Sequence, residues 1–90
     1  MPTMPRDHLD LLARLRSLSA REREVLQMAS RGMTNTQVAG ELHVSVHAVK
    51  FHLAGVYRKL SVANRTQATM LLYSFGAGQT AGIWPSEVRD

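Results

Sequence analysis

The stretch TNTQVAGELHVSVHAVKFHLAGVYRKL, residues 34–60, decides the fold. Thr34 and Gln37 stand three apart ahead of an apolar run, which is the spacing of a capping box. In that motif the hydroxyl and the side-chain carbonyl each accept the other residue's backbone N–H. A short helix follows over Asn35–Leu42, with Val38, Ala39 and Leu42 facing inward. His43 and Val44 then turn the chain, and Ser45 is a favoured N-cap for a longer helix, Val46–Leu60. Two helices joined by so tight a turn inside a small bundle make a helix-turn-helix. An ordinary helical hairpin has the same spacing, so the faces of the longer helix must separate the two.

Turning each residue of that helix by about 100° from Val49 puts Val46, His52, Leu53, Val56 and Leu60 on the inner side. His47, Lys50, Phe51, Ala54 and Arg58 form the outer stripe. It is basic, carries one aromatic ring, and has a small residue at Ala54 that permits a close approach to a groove floor. Lysine and arginine can donate to guanine edges, and apolar groups can touch the thymine methyl. A partly covered surface ring is the plain alternative for Phe51.

Working outward, Ser19 and Glu22 make a second capping box, opening a helix that runs to about Arg31 and buries Val25, Leu26 and Ala29. Gly32 is placed to supply its left-handed stop. Before it, Asp7–Ser17 forms a short helix with Leu9, Leu12 and Leu15 on one side. After the longer helix, Ser61 to Ala63 connect to a last one, capped by Asn64 and ending near Phe75. There Ala68, Leu71, Leu72 and Phe75 face inward, and Thr66, Thr69, Met70 and Tyr73 make a second, uncharged outer stripe. Methionine and tyrosine are favoured at interfaces, where lysine and glutamate are depleted. A strip covered by the tail, through Ile83 and Trp84, is the other reading of that face. The expected fold is therefore all-α: a four-helix bundle with an extra N-terminal helix. The chain divides into an arm or linker helix over 1–17, the helix-turn-helix domain over 18–76 and a tail over 77–90.

Composition narrows the function. Ninety residues make one small domain. There is no cysteine, which excludes disulfides and thiolate metal sites and fits a reducing cytoplasm. No apolar run approaches the roughly 20 residues that cross a bilayer, and residues 1–10 lack the pattern of a signal peptide. The net charge is +4, and no acidic residue lies between Glu41 and Glu87, an interval that holds Lys50, Arg58, Lys59 and Arg65. An acid-free basic stretch suits a polyanionic partner, although a solvated basic face has the same composition. His43 and His47 are separated by the turn and have no carboxylate or cysteine beside them, so no metal and no cofactor is expected. Ser45 and His47 lack an acid to orient the imidazole, and no glycine-rich phosphate loop is present, so the chain does not read as an enzyme.

The motifs, in order and at their spacing, resemble the DNA-binding domain of the LuxR/FixJ (GerE) type. The segments that carry the resemblance are LSAREREVL at 18–26, GMTNTQVA at 32–39, SVHAVKFH at 45–52, KLSV at 59–62 and NRTQA at 64–68. The resemblance covers residues 18–75 and implies a bacterial transcriptional regulator with its third helix in the major groove of double-stranded DNA. It implies a homodimer formed through the last helix, and RNA polymerase as a further partner. Carried over by position, Lys50 and Phe51 contact bases, with Ala54 at a third such position and His47 at a variable one. Thr34, Asn35, Gln37, Ser45, Lys59 and Arg65 face phosphates, joined by Arg58 on the outer stripe, and His52 packs. This chain departs from the family in having Ala48 where threonine is usual and Ala54 where a polar or basic residue is frequent.

Two other readings share parts of the pattern. One is the promoter-binding fourth region of a sigma factor, against which Asn35, His52 and the 64–68 motif weigh. The other is a helical protein-interaction module that holds a partner with Phe51 and the last helix.

Overall fold

A computed structural model of the chain describes residues 8–76, with side chains described from 9 to 74. The described part is all-helical: α1 His8–Arg16, α2 Ala20–Ser30, α3 Asn35–Leu42, α4 Val46–Leu60 and α5 Arg65–Gly76. The tail, with Ile83 and Trp84, lies outside the described residues, as does the side chain of Phe75.

Local chemistry fixes the helix ends as the sequence predicts. The Glu22 N–H donates to Ser19 Oγ at 3.1 Å and the Ser19 N–H to Glu22 Oε1 at 2.9 Å. Thr34 and Gln37 make the same reciprocal pair at 3.1 and 2.8 Å. The Ala48 N–H donates to Ser45 Oγ at 3.0 Å, and the Gln67 N–H to Asn64 Oδ1 at 2.9 Å. Each such cap satisfies a donor that the helix itself leaves open.

The C-terminal ends of α2, α3 and α4 close with a bond back across six residues. Met33 N–H reaches Met28 O at 3.2 Å, Val44 N–H reaches Ala39 O at 3.0 Å, and Val62 N–H reaches Tyr57 O at 2.9 Å. This geometry requires a left-handed residue, supplied by Gly32 at φ 91°, His43 at φ 57° and Ser61 at φ 58°. Glycine takes the first of these positions without strain; His43 is what makes the turn between α3 and α4 so short.

The helices bury two connected apolar clusters. Leu11, Leu15, Leu18, Leu26, Val56, Leu60, Val62, Ala68, Leu71 and Leu72 form one. Val25, Ala29, Val38, Ala39, Val49 and Leu53 form the other, and Tyr57 packs against both. Helix α4 contributes to each cluster, so its orientation is set from both sides.

One expectation needs correction. In α1 it is Leu11 and Leu15 that are buried, with Leu12 alongside, while Leu9 is 77% exposed. At 100° per residue the leucines at 11, 12 and 15 span a narrower arc than those at 9, 12 and 15. Buried Leu18 extends the same side. The N-terminal helix is thereby part of the core, held further by Arg14, whose Nη1 donates to Ser61 Oγ and lies 3.5 Å from Lys59 O at the end of α4.

Candidate nucleic-acid interface

Helix α4 has two chemically distinct sides. Val49, Leu53, Val56 and Leu60 are buried in the clusters, and Val46 and His52 are partly buried. His47, Lys50, Phe51, Ala54 and Arg58 are all exposed. The division predicted from periodicity is the one observed. Phe51 is 73% exposed, and the ring contact it makes is edge-on to His52, with centroids 5.6 Å apart and planes at 73°. A ring so open does not serve the core. No acidic residue lies on α4, so the exposed side presents cations, an imidazole and apolar groups.

The residues expected at phosphates fall into two sets. Thr34, Gln37, Ser45 and Arg58 are exposed. Thr34 and Ser45 use their hydroxyl oxygens as cap acceptors, which leaves each hydroxyl proton to donate outward. Gln37 uses its carbonyl in the cap and keeps its amide N–H groups.

Lys59, Arg65 and Asn35 are instead engaged within the fold. Lys59 Nζ lies 2.8 Å from Glu22 Oε1 and 3.3 Å from Ser17 O. Arg65 donates to Met33 O and to Asn35 Oδ1, tying the start of α5 to the start of α3. These partners stand 30 or more residues apart in the chain, beyond the reach of local patterns.

Glu22, in the first turn of α2, reaches across to Lys59 on α4. Burial pushes its carboxyl up, but hydrogen bonds from Lys59 and from the Ser19 N–H outweigh this and hold it below its ordinary value. The absent side chain at Gly55 leaves room for the carboxylate in this position, since a Cβ there would crowd Glu22 Oε2. Also on α4, burial raises the Tyr57 phenol above its ordinary value, against the opposing pull of Arg65.

On α5, Thr66, Met70 and Tyr73 are exposed and Thr69 is partly so, giving the uncharged outer stripe expected from sequence. Tyr73 also donates to Ser30 O at 3.4 Å, which fixes its ring against the end of α2. Among the described residues no group of three or more histidine, cysteine, aspartate or glutamate side chains is placed to hold a metal ion. No helix there is long and apolar enough to cross a membrane.

Comparison with known proteins places the same residues in a family. The family model described as bacterial regulatory proteins, luxR family, matches residues 16–72. YhjB of Escherichia coli (strain K12), an HTH-type transcriptional regulator by name, is 50% identical over 58 residues, covering 64% of this chain and 29% of that protein. SgaR of Hyphomicrobium methylovorum, named for transcriptional regulation, is 40% identical over 79 residues, covering 86% of this chain and 37% of that one. ComA of Bacillus subtilis (strain 168), a transcriptional regulatory protein, is 36% identical over 59 residues, or 66% of this chain and 28% of that one. The matched segments thus span less than two-fifths of these relatives' length.

Proposed function

The chain belongs to the luxR family of bacterial regulatory proteins, and from that membership we propose that it is a sequence-specific DNA-binding domain that regulates transcription in the cytoplasm. Helix α4 enters the major groove, and His47, Lys50, Phe51 and Ala54 meet base edges. Thr34, Asn35, Gln37, Ser45 and Arg58 meet phosphates, and Lys59 and Arg65 reach them only with the N–H groups left over from their internal bonds. The observation that carries this reading is the outer side of α4: every residue of the stripe is exposed, and the helix bears no acid. Such a face is suited to a polyanion and to the donor and acceptor pattern of the major groove.

Two copies pair through Thr66, Thr69, Met70 and Tyr73 of α5, which sets two α4 helices about one DNA turn apart, roughly 34 Å. The contact is small, so it forms chiefly on DNA. Wild type and Tyr73→Glu are titrated onto a full site and a half-site. The substitution is expected to remove most of the full-site advantage and keep half-site affinity. Equal behaviour of the two proteins on both duplexes would exclude this interface.

A further inference from the structure

We propose that Phe51 makes the operator's recognition depend on one pyrimidine 5-methyl group in each half-site, beside the base met by Lys50. The inference rests on the reading of α4 as the helix in the groove. It begins from what a phenyl ring can recognise there. Phenylalanine has no donor and no acceptor, so it is blind to the hydrogen-bonding pattern of the base edges. The pyrimidine 5-methyl is the apolar feature of the major groove.

The geometry gives Phe51 little else to do. Its ring is 73% exposed, it is edge-on to His52, and it belongs to neither apolar cluster of the core. Its neighbours on the stripe do not compete for the methyl. Lys50 follows a separate row with Ala54, four residues apart on the helix, and carries the cation that guanine N7 and O6 attract. Ala54 offers only a methyl close to the helix axis. His47 precedes Phe51 by one turn on its own row, and the next position on that row, Gly55, is buried against Glu22. The apolar reach of the stripe is therefore concentrated in a single side chain. The surrounding charge favours a polyanion over an apolar protein partner, because no acid lies on α4.

The same methyl is carried by thymine and by 5-methylcytosine, and the two can be separated chemically. A duplex selected from random DNA is rebuilt with deoxyuridine in place of each thymine in turn, which removes the methyl and leaves the pairing unchanged. Wild type is expected to lose on the order of fourfold in affinity at one position per half-site, the worth of one buried methyl. Phe51→Ala loses a similar factor on the thymine duplex and becomes indifferent to uracil at that position, while Phe51→Leu retains part of the sensitivity. Replacing that pair with C·G and then with 5-methylcytosine·G asks whether the methyl alone restores binding or whether thymine's own edge is also required. Both variants lie on the surface and leave the fold intact, checked by their thermal midpoints. If wild type selects a site and discriminates it, yet no thymine-to-uracil exchange changes its affinity, or if Phe51→Ala keeps the full uracil penalty, the methyl assignment is overturned while DNA binding stands. If no site is selected at all, the reading of α4 fails, and this assignment fails with it.

Discussion

Replacing Glu22 with alanine is expected to destabilise the domain by about 2–3 kcal/mol, a large part of the stability of so small a fold. The carboxylate is only 11% exposed, accepts the Ser19 N–H, and bridges to Lys59 on α4. Its loss leaves one helix donor open, worth roughly 1 kcal/mol for a cap. It also strands the Lys59 ammonium. Lys59 is 34% exposed, so solvent screens it and the second contribution is smaller than for a fully buried pair. Glu22→Gln separates the two effects, because glutamine can still close the capping box.

The same residue gives the stability an acid limb. The folded carboxyl lies below its ordinary value, so its contribution is fully present above the unfolded value of roughly 4.3 and is lost as pH falls through the folded value. Chemical denaturation of wild type and Glu22→Gln between about pH 3 and pH 6 checks this; the glutamine variant should have the flatter limb.

Lys50→Ala is expected to weaken binding to the selected site by about 1–3 kcal/mol, or roughly fivefold to more than a hundredfold, and to relax the preference for one base. Lys50 is exposed on α4 and is the cation of the stripe that lies nearest the middle of the helix. Binding to unrelated DNA should fall far less. Lys59→Ala should behave in the opposite way: its ammonium is held by Glu22 and Ser17, so the substitution lowers the thermal midpoint more than it changes the response to salt. Fluorescence anisotropy with specific and scrambled duplexes, beside thermal melts, reads both outcomes. An unchanged affinity of Lys50→Ala for the selected site would mean that another face of α4 meets the bases.

The features legible in the sequence are those with short-range causes. Ser19 with Glu22 and Thr34 with Gln37 cap across three residues, so their pattern survives in one dimension. The two sides of α4 follow from a 3.6-residue period carried through fifteen residues by Val49, Leu53, Val56 and Leu60. Helix α1 has nine residues and leucines at 9, 11, 12 and 15, so two stripes compete, and only the surface it docks against decides between them. The roles of Lys59 and Arg65 were hidden for a different reason. Their partners Glu22 and Asn35 are 37 and 30 residues away, and a cation that could face phosphate reads the same as one that braces a helix. Gly55 gave no sign of its role either, since a helical glycine shows a close approach only when the approaching carboxylate is known.

Sequence-dependent DNA binding by the exposed side of α4 is what the proposed function requires. It is tested most directly by titrating the protein onto its selected duplex and onto a scrambled duplex of equal length, over a series of salt concentrations. A clear preference for the selected duplex is expected at every salt. On both duplexes log-affinity should fall linearly with log-salt, by about 0.9 per phosphate contact. Equal affinity for the two duplexes, or an affinity that does not respond to salt, would contradict it.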